Sequence, residues 1–155
     1  MKRINFYFGL LALAIAFYSC GNSGKKADAA TDSSPAEEKK DDATKGIGKF
    51  KEVTLTHPLD EGMVTAGQKI YDLKCLPCHR LTGEKIVGPG WMGVTDRRTP
   101  EWVMNFLTNV DEMLNKDPAS QAMLEMCLMR MPSQNLKDEE ARAIYEFMRK
   151  NDGKN

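Results

Sequence analysis

Histidine is the scarcest chemically versatile side chain in this sequence: His57 and His79 are the only two in 155 residues. A centre built from several imidazoles is excluded. The formal charge sums to zero, with 22 basic and 22 acidic side chains, so the basic excess that marks a nucleic-acid surface is missing and no nucleic-acid partner is expected. Long apolar runs are missing too. The longest stretch of that kind, residues 4–17, is too short for an ordinary membrane-spanning helix. No alternating apolar and polar pattern marks a set of strands, and aromatics make up only 8% of the chain. That leaves room for one modest helical core plus extensions. Methionine is the abundant residue, with ten copies.

The first twenty residues have the parts of an export signal: Lys2 and Arg3, the apolar run, then small or polar residues. Ser19-Cys20-Gly21 resembles the end of a bacterial lipoprotein signal, in which the cysteine is lipidated and becomes the first mature residue. Phe17 and Tyr18 depart from the commoner Leu-Ala form of that site. The expectation is a signal peptide over 1–19 and a lipid anchor on Cys20, since several acyl chains on one terminus give lasting membrane attachment. Residues 20–49 are rich in Lys, Asp, Ala and Ser, have balanced charge and almost no apolar side chain before Ile47. Such a composition cannot bury enough surface to fold, and it reads as a tether with a root-mean-square reach of roughly 30 Å. The folded domain is expected over 50–155.

Within that domain the informative stretch is Cys75-Leu76-Pro77-Cys78-His79. Half of a zinc site would need further ligands, and only Cys127 and His57 remain beyond Cys20. A thioredoxin-like redox pair belongs beside a strand-helix-strand unit, and it leaves the adjoining histidine unexplained. Two thiols at this spacing followed by an imidazole suit covalent haem: each sulfur adds across a vinyl group and His79 binds the iron. One covalent haem c is therefore the expected cofactor.

Helical spacing begins at Leu59 and runs through Met63, Ala66, Gly67, Ile70 and Tyr71, where a glycine in mid-helix suggests a close crossing. Residues 81–93 hold four glycines and Pro89 and read as loop. An axial histidine usually donates its second ring N–H to a carbonyl, and the Val87-Gly88-Pro89 segment can offer one. Trp91, Arg97 and Arg98 are candidates to meet haem propionates. Thr99-Pro100-Glu101 is a helix start, with Trp102, Val103, Phe106, Leu107 and Val110 as a buried stripe. A further helix, opened by Asp117-Pro118 or Ser120, is expected to run to about Met129 and to be cut by Pro132, with Met123, Leu124, Cys127 and Leu128 inward. The last helix is expected from about Asp138 to Lys150, with Ala141, Ile144, Tyr145 and Met148 on its inner side. His57, before Pro58, reads as a locally bonded histidine.

With so few histidines, the sixth iron ligand points to sulfur. A thioether must stand on irregular backbone to reach the iron, and Met131 precedes Pro132, which pushes it out of helix. Met131 is the first choice, Met129 the second and Met92 the third. His/Met ligation suits electron transfer better than substrate chemistry, because it leaves no open position. Cys127 is left as an odd thiol, inert and buried or, alternatively, paired across two chains.

Residues 60–150 resemble class I c-type cytochromes, small all-α domains in which the first and last helices cross beside a covalently attached haem. Gly67 and Tyr71 match the family's glycine and aromatic at that crossing, and Gly88-Pro89 its proline loop. Met131-Pro132 matches the axial methionine motif, and Ile144, Tyr145 and Phe147 the last helix. The region from Gly88 to Pro132 is also similar to lipoprotein cytochromes of Bacteroidetes-type bacteria, some associated with nitrous oxide reduction. The resemblance implies a carrier whose haem is held by Cys75, Cys78, His79 and Met131, supported by Pro89 and Trp91. Its expected place is the periplasmic side of a bacterial membrane, or the outer surface, taking electrons from a quinol-oxidising complex and passing them to a terminal reductase or oxidase. Redox proteins are the expected partners, with nitrous oxide reductase one candidate acceptor. The alternative is a haem enzyme, or a sensor of peroxide or a gas, with a displaceable sixth ligand.

Overall fold

The computed structural model describes residues 42–155. The expected signal peptide, Cys20 and most of the expected tether lie outside the described residues. Among the described residues the elements are helical, as expected, and no strand occurs. None of these helices is long and apolar enough to cross a membrane.

Helix α1, Glu61–Ile70, starts where Asp60 turns out of extended backbone and its carboxylate accepts the Met63 N–H at 3.0 Å. It tightens no further but widens, running directly into a π-helical turn over Tyr71–Cys75. A short helix α2, Val94–Arg97, follows the glycine-rich loop. Helix α3, Pro100–Thr108, begins with the expected threonine cap: Thr99 Oγ1 accepts the Trp102 N–H at 3.2 Å. The buried stripe does not run on unbroken to Val110. Asn109 leaves helical backbone, and a separate helix α4 takes Val110–Lys116. Helix α5, Pro118–Cys127, is opened by the buried Asp117, whose Oδ1 accepts from Ser120 N at 2.8 Å, Ser120 Oγ at 2.7 Å and Trp102 Nε1 at 3.1 Å. One carboxylate thus caps α5 and ties it to α3. Helix α6, Asp138–Asn151, carries acids in its first turn and Arg149 and Lys150 in its last, which matches the helix dipole at both ends.

Helices α1 and α6 pack against each other at Gly67. A Cβ built there would lie 2.1 Å from the Ala143 carbonyl oxygen and 2.9 Å from Phe147 Cβ. Only a hydrogen fits, and this is why a glycine that weakens helix propensity sits in mid-helix. One turn on, the buried Tyr71 ring meets Phe147 at 5.5 Å and Trp91 at 4.9 Å between centroids. Ala141, Ile144, Tyr145 and Met148 are all buried, as the periodicity predicts.

The folded body begins earlier than Phe50. Residues 42–49, expected to belong to the tether, lie along α3 because the fully buried Asn105 answers the strap's backbone groups. It donates to the Lys45 and Phe50 carbonyls and accepts the Phe50 N–H, each at 2.9 Å. Ile47 packs against the core. A polar segment folds here because its backbone finds partners, which composition does not reveal.

The strap continues over α6, where buried charge holds it. Glu146 is fully buried between Arg142 and Arg149, with both its oxygens on Arg149 Nη1 at 2.8 and 2.9 Å. The guanidinium groups in turn donate to the Thr54 and Thr56 carbonyls. Removing one partner of such a pair leaves uncompensated buried charge.

Two stability predictions follow from these contacts. Gly67→Ala forces the helices apart, and in denaturant unfolding of the haem-loaded protein it lowers stability by about 2 kcal/mol despite the better helix propensity of alanine. Glu146→Ala strands two arginines and costs about 3–5 kcal/mol in the same measurement; an unchanged midpoint in either variant contradicts the packing described.

Candidate functional site

The π-helical turn carries the backbone from α1 into the pentapeptide. Leu76 N–H donates to the Tyr71 carbonyl at 2.9 Å, and Cys78 N–H and His79 N–H both donate to the Cys75 carbonyl, at 3.0 and 2.9 Å. The wound turn places Cys75, Cys78 and His79 on the wall of one cavity. Cys75 is buried and Cys78 half-buried, and neither is in a disulfide. As an unattached thiol, Cys75 is pushed up to about 11 by burial, against the opposing pull of Lys74.

His79 is fixed by the loop that follows. Its Nδ1 donates to the Pro89 carbonyl at 2.9 Å. Because a carbonyl only accepts, Nδ1 holds the proton and Nε2 carries the lone pair that a metal can take. Burial pushes the imidazole below its ordinary range, opposed by the Pro89 carbonyl, and the neutral ring is the ligating form. The loop approaches closely because residue 88 is glycine: a Cβ there would lie 2.3 Å from His79 Cε1 and 2.7 Å from Nδ1. The backbone is latched on both sides, by Gly88 N–H to the Cys78 carbonyl at 2.8 Å and Trp91 N–H to the Arg80 carbonyl at 2.8 Å. The Tyr71 hydroxyl donates to the His79 carbonyl at 2.9 Å, and the Trp91 ring lies 5.7 Å from the imidazole.

The cavity measures about 410 Å³. Besides the pentapeptide, it is walled by Pro89 and Trp91 from the loop, Phe106 and Leu107 from α3, Leu114 from α4, and Met123, Leu124 and Cys127 from α5. Met129, Met131 and Leu136 complete it from the segment before α6. An apolar chamber with an oriented imidazole, two thiols and thioether sulfurs in its walls fits a covalently bound haem, with apolar side chains for the macrocycle and nitrogen and sulfur for the iron. Among the described residues no three His, Cys, Asp or Glu side chains gather as a metal cage.

Several sequence expectations are corrected here. Helix α5 stops at Cys127, before Met129 and well before Pro132, because Leu128 takes the left-handed conformation, φ 56°. Leu128 is consequently 88% exposed and not on an inner face. The early stop also frees Met129 from the helix, so both Met129 and Met131 stand on irregular backbone and line the cavity. They differ in burial: Met129 is 59% exposed, Met131 half-buried. Met92 is not in the cavity wall, and neither are Arg97 and Arg98. Arg97 donates to the Met92 carbonyl at 2.7 Å, and the Arg98 guanidinium lies 4.6 Å from the Trp102 ring. The charged residues in the wall are Lys74 and Arg130, which no sequence signal distinguished. Cys127 lies half-buried in the same wall, and His57 donates to the Asn155 carbonyl at 2.7 Å.

The family model for cytochrome c matches residues 64–152. No match was found among curated proteins. Among solved structures, the chain is similar to a cytochrome c from Rhodothermus marinus, with 32% identity and a TM-score of 0.67 over 72% of this chain and 94% of that one. An engineered cytochrome c from the same organism matches at 31% identity and a TM-score of 0.67, covering 72% of this chain and 95% of that one. An engineered form bound to a carbene intermediate matches at 31% identity and a TM-score of 0.64, with the same coverage. The family match and the likeness in fold agree, and the chain belongs to the cytochrome c family as a class I monohaem member that binds one covalent c-type haem.

Proposed function

We propose that the protein is a membrane-tethered electron carrier whose haem is attached through Cys75 and Cys78 and ligated by His79 and Met131. The observation that carries this reading is the wall of the 410 Å³ cavity, where the oriented Nε2 lone pair of His79 and the half-buried thioether of Met131 meet the same apolar chamber. When bound, the haem iron supplies one-electron redox chemistry between its ferrous and ferric states. The residues of this chain contribute everything else. Cys75 and Cys78 retain the cofactor, the Pro89 carbonyl sets the imidazole tautomer, and Gly88 leaves room for the ring. Trp91, Phe106, Leu107 and Leu114 keep the chamber apolar, and no acid/base pair or nucleophile is required. Burial favours Met131 over Met129 as the sulfur ligand.

The lipobox-like Ser19-Cys20-Gly21 supports attachment to a membrane on its periplasmic side, with the polar stretch after it as the leash. A quinol-oxidising complex as donor and a periplasmic reductase or oxidase as acceptor suit such a carrier, nitrous oxide reductase among the acceptors. A second reading, a haem enzyme or gas sensor with a displaceable sixth ligand, draws on the irregular backbone that carries both methionines and on the engineered relative bound to a carbene intermediate.

Optical spectra separate the two. The ferric holoprotein is expected to have the weak near-red band of methionine-ligated haem, lost in Met131→Ala and kept in Met129→Ala, and its ferrous form binds carbon monoxide slowly. Absence of the band with ready carbon monoxide binding supports the enzyme or sensor, and loss of the band only in Met129→Ala moves the ligand. For the tether, fractionation of cells that attach haem is expected to leave the protein with the membranes and to release Cys20→Ser; a wild-type protein found in the soluble fraction contradicts the anchor.

A further inference from the structure

We propose that Arg130 is the positioning residue of the methionine ligand, pinning the backbone between Met129 and Met131 to α4 so that Met131 is kept at the cavity wall. The inference rests on Met131 as ligand. Residues 129–136, between the last backbone bond of α5 and the first of α6, form no helix or strand. Their far end is held by the buried Leu136. Their near end gets no such help, because Leu128 is 88% exposed. Bonds inside the segment are local, from Gln134 Nε2 to the Pro132 carbonyl at 3.1 Å and from Asn135 N–H to Ser133 Oγ at 3.3 Å.

Arg130 supplies what the near end lacks. Its Nη2 lies 3.0 Å from Asn115 Oδ1, 3.1 Å from Asp111 Oδ1 and 3.3 Å from the Asp111 carbonyl, all on α4. Asp111 and Asn115 are four residues apart, so one face of the helix presents both acceptors. Helix α4 is a firm support, since Val110, Met113 and Leu114 are buried and Leu114 itself lines the cavity. A link from the ligand segment to this helix fixes the segment relative to the chamber. All three contacts fall on one nitrogen, Nη2, which gathers the acceptors of both residues at a single point. The link is partly exposed, with side-chain accessibilities of 42% for Arg130 and 73% for Asp111, so it is of the modest, salt-screened kind. Its role is to choose among arrangements of a loose segment that holds two thioethers, not to hold the fold together.

The test is a titration of ferric holoprotein with imidazole, whose apparent affinity rises with the fraction of molecules in which the methionine has left the iron. Arg130→Gln is expected to tighten apparent imidazole binding about fivefold, the factor for an exposed link of about 1 kcal/mol, while global unfolding is destabilised by no more than that same amount. Asp111→Ala with Asn115→Ala is expected to reproduce the effect and to add nothing in the Arg130→Gln background, because the three residues act as one unit. Arg130→Lys is expected to recover part of it. Unchanged imidazole affinity in Arg130→Gln, with the near-red band lost in Met131→Ala, overturns the role of Arg130 alone. Retention of the band in Met131→Ala overturns the ligand assignment, and the inference with it.

Discussion

The structure depends on a contact with no side chain on one side of it. At Gly67 the backbone of α1 meets the Ala143 carbonyl of α6 so closely that a methyl group would overlap it. This fixes the two longest stretches of regular packing against one another. Everything that matters chemically begins immediately after α1, so the helix crossing sets where the π-helical turn starts. That turn sets where two thiols and an imidazole meet the chamber. Tyr71 links the levels, with its ring against Phe147 of α6 and its hydroxyl on the His79 carbonyl. Helix packing and ligand geometry are thereby parts of the same arrangement.

The two side chains proposed as axial ligands, His79 and Met131, are supported differently. His79 is held by backbone: a carbonyl on its ring, latches on either side of the loop, and a glycine that lets the loop close. Backbone support is stiff and insensitive to salt. The methionine segment is held by one buried leucine and by side chains at the surface, Arg130 to α4 and Lys74 to the Gln134 carbonyl. Of the two, the segment that carries Met131 is therefore the yielding one.

How much of this can be read from the residues depends on whether the controlling interaction is local. The pentapeptide, the Thr99 and Asp117 caps and the α6 stripe are local, and their outcomes agree with helical periodicity and capping chemistry. Gly67 is legible for a related reason, because a glycine in a good helix pattern needs an explanation and a close crossing is the ordinary one. The α5 terminus is not legible. A leucine in left-handed backbone follows no propensity, and Pro132 is the more obvious stop signal. The break at Asn109 and the burial of Asn105 are equally silent, since an asparagine that satisfies a distant strap looks no different from one facing solvent. Arg130 illustrates the same limit: its partners lie fifteen and nineteen residues away in sequence, on another helix.

The strap at residues 42–50 has a mechanical consequence. A pull on the chain at residue 42 first reaches the Thr44 carbonyl, held by Thr99 Oγ1, then the groups on Asn105 and the Ile47 carbonyl, held by Asn109 Nδ2. All of these anchors belong to α3 or its ends. Tension applied from the N-terminal side is thus borne by the strap's hydrogen bonds to α3 and its ends before any of it reaches α1. The Cys75–His79 turn is shielded from load, and a protein pulled from that side keeps its ligand geometry until the strap peels.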